Sequence, residues 1–129
     1  MSGIKRFEEI NAWKKARDLV KAVYEATSES AFSKDYALKD QIRRSAISTV
    51  SNIAEGFERD GNKEFVNYLS VAKSSSGEVR TQLYIARDLG YLSNDKFDDL
   101  MNLSEETSRL ISGFMKYLKS VNMVGRKFV

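Results

Sequence analysis

The chain contains no cysteine, no histidine and no proline in its 129 residues. Without cysteine there is no disulfide framework and no thiolate metal site. Without histidine the commonest general base and the commonest metal ligand are both missing. The Glu-x-x-His pairs that hold di-iron centres in helical bundles are therefore excluded. Without proline, the strongest helix breaker, long uninterrupted helices are expected. Long apolar runs are also absent: none approaches the roughly 18 residues of a membrane span. The opening "MSGIKRFEEINAW" carries basic residues with no apolar h-region behind them, and glycine stands at position 3, not 2;. These observations lead us to expect a cytoplasmic protein with no membrane partner and no cofactor. The balance of 21 basic and 18 acidic residues, a formal +3, gives by itself only weak encouragement to nucleic-acid binding;. The length suits one domain with a core of its own.

What is present is helical periodicity. Helices are expected over about 11–28, 35–59, 63–89 and 94–120, followed by a tail at 121–129;. In the first, Trp13, Ala16, Val20, Val23 and Thr27 alternate by three and four, with Asn11 as the expected cap. In the second, Ile42, Ala46, Val50, Ile53 and Phe57 form the apolar stripe, with Ser33 as cap and Gly61 as the stop. The third, capped by Asn62, carries Phe65, Leu69, Ala72, Ser76, Val79, Leu83 and Ala86 and closes at Gly90. The fourth, capped by Ser93, carries Phe97, Leu100, Leu103, Thr107, Leu110, Ile111, Phe114 and Leu118. Four amphipathic helices joined by short polar turns predict an all-α fold, an up-down-up-down antiparallel four-helix bundle.

Beside its apolar stripe the second helix carries a polar one: Gln41, Ser45, Ser48, Asn52, Glu55 and Arg59. The third helix answers with Asn67, Ser70, Ser74, Gly77 and Thr81, flanked by Ser75 and Glu78. Serine and glycine are poor helix-interior residues, glycine costing about 1 kcal/mol relative to alanine. Close helix packing, a buried polar network that fixes register, or a ligand site would each account for them. Packing and network are the simpler readings. The six tyrosines exceed what four seams need, and tyrosine is enriched at interfaces;.

Taken in order, "AWKKARDLV", "QIRRSAISTVSNIAEGFERDGNKEF", "YLSVAKSSSGEV" and "ARDLGYLS" resemble the four-helix-bundle family of bacterial ribosomal RNA intervening-sequence proteins;. Arg44-Ser45, Asn52-Ile53-Ala54-Glu55-Gly56, Arg59, Ser76 and Glu78 carry the likeness, which covers nearly the whole chain. The resemblance implies a ring-like homo-oligomer, a pentamer of bundles around a pore. It also implies kinship with the accessory protein of diversity-generating retroelements, which assists a reverse transcriptase and binds nucleic acid, and no enzymatic activity. Arg44, Ser45, Asn52, Glu55, Arg59, Ser76 and Glu78 are the expected structural polar network.

The function expected is therefore a non-enzymatic scaffold that binds RNA or DNA, or a nucleic-acid-handling protein. The candidate contacts are Lys14, Lys15, Arg17, Arg43, Arg44, Lys116, Lys119, Arg126 and Lys127, with Lys5, Arg6 and Arg109 beside them. The simpler reading of the bases after Arg109 is that they complement the dipole of a helix that opens on Asp95, Asp98 and Asp99. Two alternatives stand: a purely protein-binding structural partner, and a carboxylate-metal nuclease gathering Glu55, Glu58 and Asp60 around Mg²⁺.

Overall fold

The structure is a computed structural model and describes residues 3–122. It is all-α: α1 (Asn11–Thr27), α2 (Tyr36–Phe57), α3 (Asn62–Asp88) and α4 (Asn94–Asn122), with 3-10 turns at Phe7–Glu9 and Phe32–Lys34 and no strand among the described residues. Helix α2 packs on α3, α3 on α4, and α1 closes the arrangement against both α2 and α4. No helix is long and apolar enough to cross a membrane among the described residues.

The helix ends follow local chemistry, with corrections to the expected caps. Asn11 is already helical. The cap position is Ile10, delivered by the preceding 3-10 turn, and its carbonyl accepts from the Lys14 N–H at 3.0 Å. Asp35, not Ser33, caps α2: its Oδ1 accepts from the Leu38 N–H at 3.1 Å, while the Ser33 hydroxyl turns back to the Ser30 carbonyl;. Gly61, at φ 93°, occupies the cap position of α3, so Asn62 becomes its first helical residue. Ser93 caps α4 by accepting from the Lys96 N–H at 3.1 Å. Gly90 turns the chain out of α3 with φ 79°;.

All seven positions expected to face the core from α3 are buried. The α1 seam is rotated from the expected one. Ala12, Leu19 and Ala26 join Ala16, Val23 and Thr27 inside, while Trp13 and Val20 lean outward, half-buried. The core itself has two apolar parts. One gathers Leu19, Val23, Phe32, Ile42, Leu83 and Phe97; the other gathers Ile10, Ile53, Phe65, Leu69, Ile111 and Leu118. In sequence, α2, α3 and α4 each pass from one part to the other through buried hydroxyl residues: Thr49 in α2, Ser75 and Ser76 in α3, Ser104, Thr107 and Ser108 in α4. This hydroxyl layer lies between the two halves of the core.

Gly56 explains how tightly α2 meets α3. A methyl group at that position would lie 2.7 Å from the Tyr68 Cβ and 2.8 Å from the Phe65 Cδ1. Only a residue without a side chain fits between them.

Candidate functional site

Three surfaces carry the residues singled out in the sequence. The first is the groove between α1 and α2. Trp13, Arg17, Val20, Lys21 and Tyr24 of α1 face Val50 of α2 across about 500 Å³. Positions 13, 17, 20 and 24 are spaced by four, three and four, which brings them to one face of α1. The guanidinium of Arg17 lies 5.6 Å from the Trp13 ring centroid, and that of Arg43 lies 4.1 Å from the Tyr24 ring centroid. Arg43 is held there by Nε, which donates to the Thr27 hydroxyl at 2.8 Å, and by Nη2, which donates to the Ser28 hydroxyl at 3.3 Å. Phe7 packs on Trp13 with centroids 5.4 Å apart.

The second is a shallow depression between α3 and α4 of about 440 Å³. Lys73, Arg109 and Lys116 line it with Ser108, Ser112 and Gly113, and no carboxylate is among its lining residues. Next to it lies the most connected part of the hydroxyl layer. The Ser76 hydroxyl donates to the Ser104 carbonyl (3.1 Å), and Ser104 returns a bond to the Ser76 carbonyl (3.0 Å). Ser108 reaches the Ser76 hydroxyl at 3.0 Å, and Arg80 Nη1 closes the group by donating to the Ser108 hydroxyl at 2.8 Å. The charge-assisted bond from Arg80 is the strongest of the set.

The third is the margin where α2 meets α3. Here Ser48 and Ser75 hydroxyls are 2.8 Å apart, and the Asn52 amide donates back to Ser48 at its carbonyl (2.8 Å) and hydroxyl (3.0 Å). Val71, Ile85 and Leu89 are exposed, at 49%, 43% and 54%. They fall on one side of α3, since the 14 residues from Val71 to Ile85 are about four turns.

The residues expected to form one polar network are not brought together within one chain. Ser45 is buried but bonds within its own helix, to the Gln41 carbonyl at 3.1 Å. Asn52 likewise bonds its own helix, at Ser48, whose hydroxyl in turn meets Ser75 of α3. Ser76 is buried against α4, not α2. Arg44, Glu55 and Glu78 are exposed. Glu55 and Glu78 face solvent and take no part in the α2/α3 contact at Gly56, which is made by Phe65 and Tyr68. Arg59 is exposed as well, and both its Nε and Nη2 donate to the Tyr68 hydroxyl. That bond holds the guanidinium above its usual range.

Among the nucleic-acid candidates, Arg17 lines the α1/α2 groove, Arg43 stands over the ring of Tyr24 beside it, and Lys14 is exposed on α1. Lys15 points the other way and pairs with Glu106 of α4 at 3.5 Å. Lys116 lines the α3/α4 depression, and Lys119 lines a smaller hollow with Asn62, Lys63 and Asn67. Arg126 and Lys127 lie outside the described residues. Among the described residues, no group of three or more Asp or Glu side chains is placed to hold a metal ion, so Glu55, Glu58 and Asp60 do not form one. Sequence reasoning missed Lys73, Arg80, Ser104 and Ser108. The spacing of Ser76 with Arg80, and of Ser104 with Ser108, four apart on neighbouring helices, was the available signal.

A family model described as 23S rRNA-intervening sequence protein matches residues 8–113. A crystal structure of a protein of unknown function from the S23 ribosomal protein family of Bacteroides thetaiotaomicron is similar in fold. The TM-score is 0.75 at 21% identity, covering 81% of this chain and 98% of that one. No curated protein matches the chain.

Proposed function

The chain belongs to the 23S rRNA-intervening sequence protein family, and from that premise we propose that it is a non-enzymatic cytoplasmic scaffold. In this reading it works as a homo-oligomer, a ring of five antiparallel four-helix bundles, and binds nucleic acid through its phosphate backbone. The observation that carries the nucleic-acid part is the α3/α4 depression, where Lys73, Arg109 and Lys116 converge with no carboxylate among the lining residues. A ring repeats such a modest patch around its axis, and repetition raises avidity without new contacts.

Assembly is supported by the apolar side of α3 formed by Val71, Ile85 and Leu89, beside the small Ser48–Ser75 contact that lets a neighbour approach closely;. The antiparallel arrangement is supported by contacts whose numbers run in opposite directions. Gly56 meets Tyr68 where Ser48 meets Ser75, and Phe65 meets Phe114 where Tyr84 meets Phe97.

Anisotropy of a labelled RNA strand at low salt tests the function. The expected result is salt-sensitive binding that Lys73→Glu with Lys116→Glu weakens. Binding by the doubly substituted protein as tight as by the unchanged one would contradict it.

A further inference from the structure

We propose that the groove between α1 and α2 binds single-stranded nucleic acid, with unpaired bases stacking on Trp13 and Tyr24 while Arg17, Lys21 and Arg43 hold the phosphates. This rests on the nucleic-acid reading above and adds to it the strandedness of the ligand and a second place on the chain.

The groove combines two features that a single strand requires. Base faces need flat apolar or cationic partners, and the backbone needs positive charge. Tyr24 is 37% exposed and Trp13 half-buried, so each ring is anchored in the fold yet reaches solvent. Arg17 over Trp13 and Arg43 over Tyr24 extend the rings with planar guanidinium groups, on which bases also stack;. Trp13 and Tyr24 are about 16 Å apart along α1, enough for several nucleotides. Tyr36, with Lys39 Nζ 4.7 Å above its ring, lies two turns before Arg43 on the same face of α2 and lengthens the surface;.

Charge selects an anion. No carboxylate lines the groove. Asp18 and Glu25 of α1 are three and four residues from Lys21 and flank its outer side, while they sit about a quarter-turn or more from Arg17 and Tyr24;. A duplex fits less well, because its bases are stacked on one another and offer no faces. An apolar peptide would offer Arg17 and Arg43 no counter-charge, whereas a phosphate backbone would;.

The test uses the intact protein and its single tryptophan, Trp13. A labelled dT strand of about 20 nucleotides, a length that spans more than one OB-fold-sized site, is titrated at low salt while label anisotropy and tryptophan emission are read together. The expected result is a rise in anisotropy and quenching of Trp13 with one midpoint, no quenching by a duplex of equal length, and a roughly ten-fold loss of affinity in Tyr24→Ala and in Arg17→Ala. Binding without quenching, unaffected by either substitution, would overturn the groove while leaving the nucleic-acid reading in place. No binding at all would overturn both. A fall in particle mass of Tyr24→Ala or Arg17→Ala, with helicity unchanged, would overturn the proposal by making the groove a subunit contact.

Discussion

Ser76 and Ser104 exchange hydrogen bonds in both directions across α3 and α4, each hydroxyl donating to the other's backbone carbonyl with both side chains fully buried. Replacing Ser76 by alanine removes one bond and leaves Arg80 and Ser108 short of a partner. A loss of about 1–3 kcal/mol in urea denaturation is expected. Ser76→Ala and Arg80→Met should be non-additive by about 0.5–3 kcal/mol in a double-mutant cycle, because they act in one network. Simple additivity would mean that the hydroxyl layer is not cooperative.

The glycines of α2 and α4 should respond with opposite signs. Gly56→Ala places a methyl 2.7 Å from the Tyr68 Cβ, an atom fixed to the backbone, so α2 and α3 must separate. A loss of about 1–3 kcal/mol is expected despite alanine's better helix propensity. Gly113→Ala, with nothing within 4 Å, should gain up to about 1 kcal/mol;. Thermal melting of the two variants checks the contrast.

Tyr91 donates to Asp35 Oδ2 at 2.9 Å, and the same carboxylate caps α2. This hydrogen bond first, then burial and the charge of Asp35, raise the Tyr91 hydroxyl above its ordinary range. A phenol with a raised folded-state value adds stability that is complete below roughly pH 10 and is lost as pH rises through the folded-state value. Stability should therefore fall less steeply above about pH 10 in Tyr91→Phe than in the unchanged protein. Equal slopes in denaturant titrations across that range would contradict the coupling.

Lys15 and Arg17 are two residues apart but should behave differently towards nucleic acid. Lys15 is turned to Glu106, whereas Arg17 stands over Trp13. Arg17→Ala should reduce the slope of log affinity against log salt by about 0.7 on a single strand. Lys15→Ala should leave that slope unchanged, and binding titrations across a salt series measure both.

How much of this was legible depended on what each side chain does. The α3 seam from Phe65 to Ala86 was fully readable, because large apolar residues at helical spacing have no other place to go. In α1 the large residues misled: Trp13 and Val20 drew the expected stripe towards the α2 groove, while the inward positions include the small Ala12 and Ala26. The hydroxyl layer was half legible. Ser76 stood in the apolar series of α3, but Ser104 and Ser108 did not register in α4, where hydrophobicity favoured Leu103 and Leu110. A buried serine satisfied by a neighbouring helix adds nothing to the apolar stripe of its own, and only the four-residue spacing of Ser104 with Ser108 marks it. The groove's cation–aromatic pairs were hidden for a related reason, since Arg43 and Tyr24 meet only once α1 and α2 are packed.

The mass of the particle in solution tests the scaffold reading most directly. Light scattering on the intact chain at micromolar concentration should return a multiple of the 14.7 kDa protomer, five-fold for the proposed ring. Ile85→Asp together with Leu89→Asp should lower that mass with helicity unchanged. A mass of one protomer for the unchanged chain would contradict the assembly and leave a monomeric bundle in its place.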